Sequence, residues 1–168
     1  TKMFFIIIKL KYTRLTKEQF DCLSEEFSLF LASKAIDSKQ WDNIKSNSPK
    51  RVDLILDLFS DIVWDDILNK VNYIENISAT HLFLFKCNEK SIKSIIIKSN
   101  DSSINFKSEE DRLWLFNNFN SKKIEILRST KRFRTKRNDE IYSLITRGCE
   151  ISEGQLYNMC SERLLKSS

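Results

Sequence analysis

Two glycines, one proline and one histidine are all that this 168-residue chain has of three residue types on which many active sites depend. With only Gly148 and Gly154, it holds no G-x-G-x-x-G run and no Walker A loop, so backbone phosphate cradles of that kind are excluded. Few turns that demand a positive φ can form, which argues against an all-β sandwich or barrel. His81, the one imidazole, leaves a transition-metal site poorly supplied. The four cysteines (Cys22, Cys87, Cys149 and Cys160) form no C-x-x-C pair. They read as scattered buried thiols in a reducing compartment. Phe4 to Ile8 is the apolar run nearest the N-terminus, too short to span a bilayer or to serve as a signal-peptide core. The expectation is a cytoplasmic protein with no membrane, metal or cofactor.

What is present is a core and an uneven charge. Hydrophobic residues make up 41% of the chain, among them 12 Phe and 3 Trp. That is enough for one globular domain over residues 11–168, and no low-complexity linker interrupts it. Residues 1–119 carry 17 Lys/Arg and 17 Asp/Glu; residues 120–168 carry 11 and 6, and so hold the whole net charge of +5. The excess is densest from Lys122 to Arg137, where Glu125 is the one acid. Clustered cations attract phosphate or an acidic protein surface.

Apolar periodicity gives an α+β fold: N-terminal helices, a small and mostly antiparallel sheet of three to four strands, and a C-terminal helical hairpin. Thr16 with Gln19 forms a capping box ahead of Phe20, Leu23, Phe27, Phe30 and Leu31 at helical spacing. Asp37 with Gln40 opens a short helix carrying Trp41 and Ile44. Ser48-Pro49 opens a long one, to about Val71. Residues 81–86 and 92–98 read as strands joined through Asn88-Glu89-Lys90, and the unalternated Ile95-Ile96-Ile97 places the second inside the sheet. Ser108 opens a helix to Phe119, residues 123–128 form a strand, and a helix over 133–147 stops at Gly148. Ser152 with Gln155 caps the last helix.

Several stretches carry a resemblance. They are Lys11-Tyr12-Thr13-Arg14-Leu15-Thr16 with Glu18 and Phe20, Leu58 to Trp64, Lys70 to Glu75, Leu84 to Cys87, and Gly148 with Ile151 to Tyr157. Together they resemble a family of small Bacteroidota proteins, a domain of unknown function, over about residues 11–160. The resemblance implies a cytoplasmic single domain and carries over no catalytic residue. Similar proteins have borne a histidyl-tRNA synthetase label. This chain is far too short for a synthetase and lacks the Gly-rich and Arg-bearing segments of an ATP site. Relatives would begin with Met where Leu10 stands, so residues 1–10 read either as translation from too far upstream or as an N-terminal edge strand.

Two surfaces stand out as candidate sites. Asp53, Asp57, Asp61 and Asp65 recur every four residues on the long helix, and Trp64 and Leu68 add an apolar end. Asp57, Asp61, Trp64, Asp65 and Leu68 are the candidate partner face, set against the plainer reading of a solvated helix side. Lys131, Arg132, Arg134, Lys136 and Arg137 are the candidate contacts to nucleic acid or to an acidic partner. Behind them residues 134–165 have the rhythm of a helix-turn-helix, although Glu153-Gly154 opens its second helix poorly for a groove. His81 and Cys87 have no neighbouring motif that makes a base or a nucleophile of them. The leading reading is a non-enzymatic interaction protein with an unknown protein partner. The alternatives are nucleic-acid binding through residues 122–137 and 134–165, and an enzyme whose site is assembled from distant residues.

Overall fold

A computed structural model describes residues 10–166. The chain divides into two compact units, residues 1–67 and 68–168. The sequence, which has no linker at that point, reads as one domain; the division falls inside a helix. The two readings of residues 1–9 lie outside the described residues.

The first unit is helical. The Thr16 hydroxyl accepts from the Gln19 N–H, and the Gln19 side chain accepts from the Thr16 N–H. This box opens α1 (Lys17–Cys22). The helix expected to continue to Leu31 breaks at Leu23 and restarts as α2 (Ser24–Ser33). The same reciprocal cap, Asp37 with Gln40, opens α3 (Ser38–Asn47). Pro49 begins α4 (Pro49–Lys70), whose last turn belongs to the second unit. Leu15, Phe30, Leu31, Ile44, Ile55 and Phe59 form the buried core. Phe27 meets the rings of Phe59 and Trp41 edge-on, at centroid distances of 5.0 and 5.4 Å. Each such pair contributes about 1 kcal/mol beyond the area it buries.

The second unit is built on a five-stranded antiparallel sheet, ordered β4-β3-β2-β1-β5. The strands are β1 (Tyr73–Ile77), β2 (His81–Cys87), β3 (Ser91–Ser99), β4 (Ile124–Arg132) and β5 (Glu150–Ser152). Three or four strands are expected from sequence. The extra ones are β1, whose Glu75-Asn76 hides its apolar period, and β5, three residues long. β3 is interior, as its isoleucine run requires. Helix α5 (Glu109–Asn117) bridges β3 and β4, and α6 (Arg137–Thr146) precedes β5. Helix α7 (Gln155–Lys166) packs on β2, β3 and α5. β5 therefore interrupts the C-terminal pair of helices and joins the sheet edge. Leu82, Leu84, Ile95 and Ile97 pack with Phe106, Leu115, Tyr157 and Cys160 as the core on the α7 side.

Candidate functional site

A strand sends alternate side chains to opposite faces, so the basic run cannot stay together once it is a strand. In β4, Arg128, Thr130 and Arg132 share the face of the buried Ile124, towards α7, while Lys131 points to the other. The register completes the near face. Thr130 lies opposite Lys93 of β3, and Lys93 lies opposite Lys86 of β2. Lys93 is thus flanked directly by Lys86 and diagonally by both Arg128 and Arg132. Neighbouring strands are about 4.8 Å apart, and Arg128 and Arg132 are separated by about 14 Å along β4.

No carboxylate pairs with Lys86, Lys93, Arg128 or Arg132 among the described residues; Lys86 lies over the Tyr73 ring at 5.7 Å. Lys123 and Lys98 of the second unit, by contrast, have carboxylate partners. Lys123 pairs with Asp101 at 2.7 Å, and with Ser103 it holds the Asp101 carboxyl well below the usual carboxylate range. Lys98 reaches Glu125 at 3.9 Å. Like charges directly opposite each other on one sheet face are destabilising, so sheet pairing does not account for Lys86 facing Lys93. The unit as a whole carries 18 Lys/Arg against 12 Asp/Glu, while the first unit carries 10 against 11.

The five cations expected to act together therefore separate. Arg132 belongs to the cluster and Lys131 to the opposite face. Arg134 and Lys136 are exposed between β4 and α6, where the Arg134 and Thr135 N–H groups both donate to Glu140. Arg137 is structural. Its guanidinium donates to the carbonyl oxygens of Leu68, Val71, Cys87 and Asn88. Lys86 and Lys93 lie outside the counted run. The signal for them is the hairpin, but a loop of Asn88-Glu89-Lys90 alone would pair residue 86 with 92; the observed turn is centred on Glu89-Lys90 and pairs it with 93.

The acidic face of α4, expected as a partner face or a solvated side, is engaged by the chain's own N-terminal residues. Residues 11–15 lie along it. Asp61 accepts from the N–H groups of Lys11 and Tyr12, at 2.9 and 3.0 Å. Asp65 takes the Lys11 ammonium and the Tyr12 hydroxyl, at 2.8 and 2.6 Å. Burial and the Asp65 carboxylate push the Tyr12 phenol up to about 12. Arg14 pairs with Asp53 and Asp57, the Leu15 N–H donates to the Ser60 hydroxyl, and the Trp64 indole N–H donates to the Thr13 carbonyl. Leu68 is fully buried, which removes the apolar end of that face. Asp61→Ala strands two N–H donors, and we expect it to lower the unfolding free energy by about 1–2 kcal/mol in a urea titration.

Other chemistry-bearing groups are held in structural settings. His81 Nδ1 lies 2.8 Å from the Thr80 hydroxyl, and the imidazole stacks on Phe83. All four cysteines are free. Burial pushes the Cys87 and Cys160 thiols up to about 11 and about 12, and raises Cys149. No group of three or more metal-ligating side chains occurs among the described residues. No helix there is long and apolar enough to cross a membrane.

A family model, "Family of unknown function (DUF6495)", matches residues 10–165. The chain belongs to this family. No curated protein and no solved structure matches it. DUF6495 membership agrees with the expected domain of unknown function, and the basic cluster of this DUF6495 chain rests on its own geometry.

Proposed function

We propose that this chain is a non-enzymatic, cytoplasmic binding protein that holds nucleic acid by its phosphate backbone, on the basic half of the sheet. The carrying observation is the unpaired set Lys86, Lys93, Arg128 and Arg132 on adjacent cross-strand positions of one face. Phosphate contacts supply the sequence-independent part of such affinity, and surface cations without carboxylate partners are the groups that make them. The high thiol pKa values and the hydrogen-bonded His81 support a binding role over a catalytic one. Four unpaired cysteines, three of them buried, support a reducing compartment, and a Bacteroidota origin is part of the same reading.

Fluorescence anisotropy with mixed RNA and DNA oligonucleotides tests the proposal. Four neutralised phosphates give a slope of about −3 in log affinity against log salt. Changing Lys86, Lys93, Arg128 and Arg132 to Gln is expected to weaken binding on the order of a hundredfold at low salt. A charge-matched control, with Lys17, Lys39, Lys50 and Arg51 of the first unit changed to Gln, is expected to stay within about twofold. Equal losses in the two variants, or no binding by the unmodified protein at low salt, would refute the proposal.

A further inference from the structure

Beside the basic cluster, α7 and strands β3 and β4 border a groove of about 480 Å³. Lys93, Arg128 and Thr130 line it from the sheet. Tyr157, Ser161 and Leu165 line it from α7 at four-residue spacing, so they share one helix face. Its floor is apolar: Ile95 and Tyr157 are buried there. Leu165, 73% exposed, forms an apolar lip. The Ser94 and Ser129 hydroxyls bond to each other on the far face of the sheet, so the groove takes its hydroxyls from Thr130 and Ser161.

We infer that this groove receives one nucleotide of a single-stranded nucleic acid, with its phosphate between Lys93 and Arg128 and its base or sugar against Ile95, Tyr157 and Leu165. The inference rests on the nucleic-acid reading above and narrows it. Cations on one wall and an apolar floor and lip form the division of labour that a nucleotide needs, a charged group joined to a flat apolar one. The volume falls in the range of about 300–1,000 Å³ typical of small-molecule sites. A duplex keeps its bases paired and stacked along a stiff rod and offers the groove only its outer phosphates. A single strand turns individual bases outward, and this is how single strands are bound: a cationic track beside apolar platforms. The nearest further cations, Lys86 and Arg132, continue the track to either side of Lys93.

The test compares a labelled single strand with the same strand annealed to its complement. The unmodified protein is expected to prefer the single strand about tenfold. Thr130→Trp fills the groove from an exposed strand position where an aromatic residue is well accommodated. It is expected to weaken single-strand binding about tenfold and to leave duplex binding within about twofold. Photo-crosslinking of the unmodified protein to a strand carrying a thiolated base needs no variant, and the adducts are expected on residues of α7 from Tyr157 to Leu165. Equal affinity for the two forms, an unchanged single-strand affinity in Thr130→Trp, or adducts confined to other segments would overturn the groove and leave the phosphate-binding face standing. No binding of either form would overturn both.

Discussion

Gly154→Ala is expected to lower the unfolding free energy of the second unit by about 3 kcal/mol. Two independent costs combine. Gly154 has φ +80°, in the left-handed region, where a Cβ clashes with the backbone at a cost of about 1 kcal/mol. Its Cβ would also fall within the ring of Tyr73, against Cγ, Cδ1 and Cδ2. That ring has little room to yield, because it packs on Tyr157 at a centroid distance of 5.7 Å and its hydroxyl reaches Asn158 at 3.3 Å. Overpacking of this kind costs about 1–3 kcal/mol. A second substitution separates the two terms. In Tyr73→Ala the ring is gone, so adding Gly154→Ala there should cost about 1 kcal/mol, the backbone part alone. Urea titrations of the two single variants and the double variant measure this directly. A loss under about 0.5 kcal/mol in Gly154→Ala would show that the Tyr73 ring moves freely and that the α7 entry is not fixed as described.

Gly154 also shows how far the sequence can be read. Sequence marks it as misplaced for a helix-turn-helix and gives no reason for its presence. The reason is Tyr73, more than eighty residues earlier, on a strand whose Glu75-Asn76 conceals the period that would reveal it. Local signals fare better. Thr16 with Gln19, Asp37 with Gln40, and Pro49 each begin a helix where their chemistry places one, because a cap is satisfied within four residues. The α+β class and the interior position of β3 follow from apolar period alone. β5 is beyond such reading: three residues carry no period, and only pairing with Tyr73 to Glu75 makes them a strand.

The candidate site was half legible for the same reason. A count of cations along the chain finds Arg128 and Arg132 but groups them with Lys131, which the strand period sends to the other face. The strand runs on to Arg132 instead of ending near Arg128, and that extension decides which cations share a surface. Lys86 and Lys93 enter through register. On α4 the four aspartates are visible in sequence as a stripe. That Lys11 to Leu15 lies along it depends on a contact some fifty residues away. The only trace is that Lys11 and Arg14 match the stripe in charge.

Arg132 and Arg137 stand five residues apart in one basic run, and their substitution is expected to give opposite results. Arg137 opens α6, and its guanidinium donates to Leu68 O at 2.8 Å, Asn88 O at 2.9 Å, Cys87 O at 3.2 Å, and Val71 O. Those carbonyls belong to the last turn of α4, the link into β1, and the exit from β2. Leu68 is near a helix C-terminus, where carbonyls lack partners along the helix and the dipole favours a cation. Met in place of Arg137 keeps much of the stem's packing and leaves the carbonyls without their charged donor. We expect a loss of about 3–4 kcal/mol, read as a lower urea midpoint with an unchanged slope. Lys restores the charge without the planar fork and should recover about half. In Arg137→Lys, under conditions where the variant remains folded, nucleic-acid affinity should stay within about twofold, because this guanidinium faces protein carbonyls. Arg132→Gln should do the reverse, changing stability by less than about 0.5 kcal/mol and lowering affinity several-fold. If Arg137→Lys lost affinity while keeping its urea midpoint, the carbonyl cluster would not be the role of this residue, and the linear reading of the basic run would be restored.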